Sequence, residues 1–155
     1  MVDLFEYDMR HQVVLITGAA GLLGEFHCEA LLELGARIVA SDISEENLKR
    51  LRQNKTIKQN LDKVKFMQFD ITQEDDIRQT SIDLIRQNWC PTTLVNNAAV
   101  NPVVSTEGLK ELGRLEDFNE QTFLSEISVG LTGAIHCSRI FGAIMAKNNF
   151  GNINF

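Results

Sequence analysis

With 155 residues, 44% of them hydrophobic and 23% charged, the chain has the make-up of one globular domain with a substantial core. A net charge of −6 argues against a nucleic-acid binder, which would carry a basic surplus. The first residues carry Asp3, Glu6 and Asp8 without an apolar core, so no secretory leader is expected. The most apolar stretch, residues 129–146, is interrupted by His136 and Arg139, so no membrane span is expected either. Cys28, Cys90 and Cys137 are odd in number, far apart and outside any CxxC pattern. They read as reduced thiols of a cytoplasmic protein and as small apolar fillers, not as a disulfide framework or a zinc site.

Val13-Val14-Leu15-Ile16-Thr17 is an uninterrupted apolar run of strand length, as expected when helices cover both sheet faces. A glycine-rich turn follows, then a helix with apolar residues at Leu23, Phe26, Ala30, Leu31 and Leu34, stopped by Gly35. Residues 37–42 form a second strand. Ser44 is placed to cap a helix running to Lys58, with Glu45 and Glu46 in its first turn.

A third strand, residues 64–69, ends at Asp70. Thr72-Gln73-Glu74-Asp75 resembles a capping box with Asp in place of Glu or Gln, and Ile77, Ser81, Leu84 and Ile85 give the next helix a buried face. Pro91 separates that helix from a fourth strand, residues 93–97. Residues 101–115 lack a clear period and read as a loop. From about Glu116 to Lys147 a long helix is expected, with Phe123, Ile127, Leu131, Ala134, Ile135 and Phe141 inward. Residues 151–155 read as the start of a fifth strand, leaving an open sheet edge near residues 94–97. The alternation implies an α/β fold: a doubly wound parallel sheet, Rossmann-like and incomplete on its C-terminal side.

Thr17-Gly18-Ala19-Ala20-Gly21-Leu22-Leu23-Gly24 joins the first strand to its helix. A pyrophosphate needs backbone N–H groups close by and a helix N-terminus aimed at it. Gly18 permits the tight turn, Gly21 withholds a Cβ from the phosphates, and Gly24 lets helix and sheet pack closely. Asp42, 18 positions beyond Gly24, ends the second strand, where an acid can accept both ribose hydroxyls of NAD. It can equally open the turn before Ser44. A 2′-phosphate beside Asp42 would meet repulsion of about 4 kcal/mol per pair of unit charges at 4 Å. No arginine or lysine adjoins Asp42 in sequence, so NAD is favoured over NADP. Asp70 and Ile71 are candidates for the adenine amino group and ring face, or Asp70 is a turn residue. Asn96-Asn97-Ala98-Ala99 ends the fourth strand beside the expected crevice, and asparagines also terminate strands for purely local reasons.

Taken in order and spacing, these motifs resemble the short-chain dehydrogenase/reductase family from about Gln12 to Phe155. The resemblance implies a nicotinamide cofactor and an oxidoreductase acting on an alcohol or carbonyl. It implies that Gly18, Gly21, Leu22, Leu23, Gly24, Asp42, Ile43, Asp70, Ile71, Asn97, Ala98 and Ala99 line that cofactor. The chain departs from the family in three respects. The glycines at 18, 21 and 24 have the spacing of its extended branch, whereas Asn-Asn-Ala-Ala is similar to its smaller branch. Val129-Gly130-Leu131-Thr132-Gly133 is similar to the family's Asn-Leu-Thr-Gly segment, but glycine stands at Gly130 where a catalytic asparagine is usual. The family's serine and Tyr-x-x-x-Lys do not occur: the only tyrosine is Tyr7, with His11 four residues on. No catalytic residue is therefore assigned, and the 155-residue chain is expected to be inactive as one nucleotide-binding domain of a longer enzyme.

His136 lies at helical spacing beside Ile135 and Ile140 and reads as a packed residue. His27 and His11 lack partners at ligand spacing, so no metal is expected. Lys49, Arg50, Arg52, Lys55 and Lys58 read as a solvated face, and Trp89 as a cover for the sheet end. Two alternatives stay open: a non-catalytic nucleotide-binding module and an S-adenosylmethionine-dependent methyltransferase. A small-molecule substrate is expected, with self-association through the long helix or the sheet edge. For the substrate, residues 129–134 are similar to family members linked to bacterial surface-sugar synthesis.

Overall fold

The computed structural model describes residues 8–100 and 118–155. The expected loop over residues 101–115, the helix start at Glu116, and Tyr7 lie outside them. Five parallel strands lie in the order β3-β2-β1-β4-β5. They are β1 (Val13–Ile16), β2 (Arg37–Asp42), β3 (Val64–Gln68), β4 (Thr93–Val95) and β5 (Asn152–Asn154). β1 is central, with Val14 opposite both Ile38 of β2 and Thr93 of β4.

The uninterrupted β1 run is explained by the two cores that it separates. Val14 and Ile16, with Ile38 and Ala40, face α1 (Leu22–Glu33), α2 (Glu45–Leu51) and α3 (Lys55–Lys58) through Cys28, Leu32, Leu48, Leu51 and Ile57. Val13 and Leu15, with Val39 and Leu94, face α4 (Glu74–Arg86) and α6 (Ala134–Lys147) through Ile77, Leu84, Cys137, Ile140 and Phe141. Alternate residues thus serve opposite layers, and neither face of the strand meets water. Burial holds the Cys28 and Cys137 thiols up at about 12, Cys28 with further help from Glu25 and Glu29. Both behave as small apolar fillers.

Several expectations need correction. The helix drawn from Ser44 to Lys58 is two helices. Ser44 Oγ accepts the Asn47 N–H, and a second cap, Asn54 Oδ1, accepts the Ile57 N–H and starts α3. The Asn54 amide also donates to Glu25 (2.7 Å) and Glu29 (2.9 Å) of α1, which fixes the break against a neighbour. The capping box before α4 does not form. The Thr72 hydroxyl and N–H both donate to Asp70 Oδ1, at 2.8 Å each, and the N-cap is Gln73 without a side-chain bond. Ile85 of α4 is exposed, and Thr80 takes its place in the buried set. In α1, Leu23 and Phe26 are exposed while Gly24, Cys28 and Leu32 pack inward.

The long helix is continuous from Glu120 to Lys147, with a wider-wound π segment at Ser128–Gly133 between α5 (Glu120–Ile127) and α6. Its inner face is Ala134, Cys137, Ile140, Phe141 and Met145. Of the expected inner residues only Ala134 and Phe141 belong to it; Phe123, Ile127, Leu131 and Ile135 are exposed. By length and composition alone this helix is apolar enough to cross a bilayer, contrary to expectation, although α6 packs one face on the sheet. The open edge expected near residues 94–97 is closed: Leu94 pairs with Ile153, and the Asn96 N–H donates to the Asn154 carbonyl. Glu74 ties α4 to the long helix through Arg139 while also binding Arg78. The Arg78 hydrogen bond first, and Arg139 second, hold the Glu74 carboxyl below its ordinary range.

Candidate cofactor-binding site

In an open parallel sheet a ligand crevice forms beyond the strand ends, where neighbouring connections leave in opposite directions. The order β2-β1-β4 puts that point beyond Ile16, Asp42 and Val95, and a cleft of about 700 Å³ lies there. It is lined by Gly18, Gly21, Leu22, Leu23, Asp42, Ile43, Asp70, Ile71, Asn97, Ala98 and Ala99. Every residue expected at the site is therefore brought together except Gly24, which is buried under the turn. Ser41, Asn47, Phe69, Val100 and Val129 also line the cleft and were missed. Asn47 and Phe69 were detectable in principle, since one lies on the first turn of α2 and the other ends the run of β3. Val129 was not, because its place depends on the packing of a distant helix.

The three glycines do different work. Gly18 has φ +62°, and a Cβ there would stand 2.8 Å from the Ala98 Cα. Gly24 abuts the turn itself: its Cβ would lie 2.7 Å from the Ala19 Cα. Gly21 has ordinary extended angles, φ −79° and ψ 173°, and its Cβ would meet only the Gly18 carbonyl at 3.3 Å. Gly21 is exposed on the cleft wall and no side chain caps α1, so the first-turn N–H groups are left for a ligand.

Asp42 is half-buried and serves the turn from both oxygens. Oδ2 accepts the Ala20 N–H (3.3 Å) and Oδ1 the Ser44 N–H (3.0 Å). A carboxylate oxygen accepts more than one bond, so both retain capacity for hydroxyl donors. Asp70 Oδ1 is occupied by Thr72, which leaves Oδ2 as the oxygen without a partner among the described residues. The Asn97 side chain faces inward to the protein: its amide donates to the Thr17 and Gly18 carbonyls, each at 3.0 Å. The N–H groups of Asn97 and Ala98 both donate to Thr17 Oγ1 at 3.1 Å. Asn97 thus braces the glycine turn, and the Asn96 amide donates to Ser138 of α6 at 3.1 Å.

The basic group on α2 and α3 is the solvated face expected, with Lys49, Arg50, Arg52, Lys55 and Lys58 all exposed. Arg50 donates to the Ala20 carbonyl at 2.9 Å, Arg52 lies over the Phe66 ring, and Lys49 pairs with Glu45. Arg50 is the one residue of that group that reaches the turn. His136 is not among the residues lining the cleft; its Nδ1 is buried without a partner among the described residues. Trp89 carries Arg37 on its ring at 3.9 Å, at the sheet end remote from the cleft. Among the described residues no three His, Cys, Asp or Glu side chains gather as a metal site would require.

The family model for short chain dehydrogenases matches residues 12–155. The chain belongs to the short-chain dehydrogenase/reductase family. Among relatives of this family, an uncharacterized oxidoreductase of Bacillus subtilis (strain 168) is 30% identical over 145 residues, covering 94% of this chain and 52% of its own length. The sorbitol-6-phosphate 2-dehydrogenase of Klebsiella pneumoniae is 29% identical over 148 residues, covering 94% and 51%. A solved short chain dehydrogenase from Bacillus anthracis superposes with a TM-score of 0.77 at 28% identity, covering 94% of this chain and 55% of that one. An NAD+-bound xylitol dehydrogenase shares the fold, with a TM-score of 0.79 at 23% identity, covering 94% and 52%. The chain spans about half the length of the curated relatives it matches. Family membership removes the methyltransferase alternative.

Proposed function

We propose that this chain binds NAD in preference to NADP and is the nucleotide-binding domain of a longer oxidoreductase. The substrate proposed is an alcohol or carbonyl of a small polyhydroxylated molecule. The observation that carries the cofactor reading is Asp42, whose carboxylate stands in the same cleft as Gly21 and the uncapped start of α1. Among the described residues no lysine or arginine lines that cleft, and Arg50 donates to the carbonyl of Ala20, which is not a lining residue. A 2′-phosphate would therefore meet an uncompensated carboxylate, at about 4 kcal/mol per pair of unit charges near 4 Å. Hydride chemistry would come from the bound nicotinamide. The chain's own residues would hold the pyrophosphate at the α1 N-terminus, the ribose at Asp42, and the adenine between Asp70 and Ile71. The polyol substrate is supported by two relatives, a sorbitol-6-phosphate dehydrogenase and a xylitol dehydrogenase.

Calorimetry with NAD and NADP tests the reading. Asp42→Ala should weaken NAD by about 1.5–3 kcal/mol, the range for hydrogen bonds to a charged group. Asp42 also receives the Ala20 and Ser44 N–H groups, so a thermal melt accompanies the titration. Unchanged NAD affinity in a folded variant overturns the assignment.

The exposed stripe Phe123, Ile127, Leu131 and Ile135 supports self-association through the long helix. The free cysteines support a reducing, cytoplasmic setting. A second reading, a nucleotide-binding module without turnover, is favoured by Gly130. Glycine has no side chain to take the part of the asparagine usual at that position.

A further inference from the structure

Gly133, the last residue of the π segment, has φ −60° and ψ −43°, an ordinary helical conformation open to any residue. Glycine inside a helix weakens it relative to alanine, so the backbone gives no reason for glycine here. The reason is on the cleft wall. A Cβ at Gly133 would stand 2.7 Å from both Cδ1 and Cγ1 of Ile71 and 3.3 Å from its Cβ. Ile71 is more than nine-tenths buried yet lines the cleft, next to Asp70 and Phe69. Gly133 is itself buried and does not line the cleft. The long helix therefore meets the Asp70–Ile71 side of the cleft at Gly133 as well as through Val129, and at Gly133 only a missing methyl group lets the Ile71 side chain sit where it does.

We infer that Gly133 is a positioning residue for the nucleotide: its bare Cα is the seat that holds the Ile71 side chain back from the adenine part of the cleft. This rests on the cofactor reading above. A methyl group at position 133 must displace the Ile71 side chain, because Cγ1 and Cδ1 are the atoms in its way. Because Ile71 lines the cleft, a side chain pushed away from Gly133 is expected to move into it, so adenine loses space and its apolar wall while the pyrophosphate and nicotinamide positions keep theirs.

The test uses the full chain and reads two things. In the first, the Ile71 Cδ1 methyl resonance is followed in wild type and Gly133→Ala without ligand. A displaced resonance, with circular dichroism unchanged, is expected; a resonance that stays in place overturns the seat whether or not the protein binds nucleotide. In the second, AMP, nicotinamide mononucleotide and NAD are titrated. Gly133→Ala should weaken AMP and NAD about 3- to 10-fold and leave the mononucleotide unchanged, losses in the range that neighbouring residues commonly show. In an Ile71→Ala background the same substitution should change AMP affinity by less than about twofold, because the group it displaces is gone. An equal loss in both backgrounds, or equal weakening of AMP and the mononucleotide, means that Gly133 acts on general stability and overturns the inference. Failure of wild type to bind any of the three overturns the cofactor reading instead, and the methyl resonance still decides the seat.

Discussion

The glycine turn at residues 17–24 and the π segment at Ser128–Gly133 both border the cleft, and both are rich in glycine, but their glycines answer to different constraints. In the turn, Gly18 and Gly24 are pressed against backbone, Gly18 at Ala98 and Gly24 at Ala19. In the π segment, among the described residues, a Cβ at Gly130 meets nothing within 4 Å, and at Gly133 the nearest atoms all belong to the Ile71 side chain. Backbone cannot yield without moving a strand, whereas a side chain can rotate. The turn is thus fixed by the whole sheet, and the π segment is adjustable.

The largest expected effect concerns chemistry that the π segment does not supply. The 155-residue chain should show no NADH-linked turnover with a panel of polyols and sugar alcohols. Positioned acid/base catalysis is worth roughly 10²–10⁴-fold. Tyr7 has no lysine four residues on, and an unassisted tyrosine with pKa near 10 is a poor base at neutral pH. Turnover that survives Tyr7→Phe but disappears with His136→Ala would give the long helix a catalytic part and erase the contrast.

Next come two turn variants that should separate. Gly21→Val should lose measurable NAD binding while circular dichroism stays native, since its Cβ asks the Gly18 carbonyl, 3.3 Å away, to give only slightly, whereas its methyl groups obstruct the cleft. Gly24→Ala should lower the stability of the free protein by about 1–3 kcal/mol in a denaturant titration, the range for overpacking. If both variants behave alike, the division of labour among the turn's glycines is wrong. On the outer face of the long helix, Leu131→Glu should shift sedimentation towards monomer, because burying one such side chain in an interface is worth about 1.5–3 kcal/mol. A wild-type chain already monomeric at high concentration would remove the stripe as an interface. The smallest effect belongs to Gly130→Ala, whose methyl meets no described residue within 4 Å and should stabilise the helix by up to about 1 kcal/mol. A loss of stability there would show that the segment is more constrained than its open surroundings imply.

The sheet and the glycine turn were legible because each rests on local, unambiguous chemistry. The β1 run has no polar interruption, the turn glycines fall between a strand and a helix, and Asp42 and Asp70 end their strands. The long helix was misread because it is apolar on more than one side. Phe123, Ile127, Leu131 and Ile135 repeat every fourth residue and mimic an inner face, while Ala134, Cys137, Phe141 and Met145 are the residues that meet the sheet. Periodicity says that a face exists, not which of two faces has a partner. The break between α2 and α3 carries neither glycine nor proline, and its signal, Asn54, means little until Glu25 and Glu29 are seen beside it. Asn97 lies on the cleft, but that its side chain serves the turn depends on a contact with Thr17 eighty residues away.

That contact bears on the order in which the protein assembles. Thr17 and Gly18 receive the Asn97 amide, and Thr17 Oγ1 receives two N–H groups from the end of β4. None of these bonds can close until β4 has docked, so the final shape of the glycine turn is set by residues made long after it. Contacts of such long sequence separation form late, because the loop between them must first be ordered. A nascent chain that has released only β1, α1 and β2 therefore carries every glycine of the motif and no fixed cradle. On the cofactor reading proposed above, affinity for nucleotide belongs to the finished sheet.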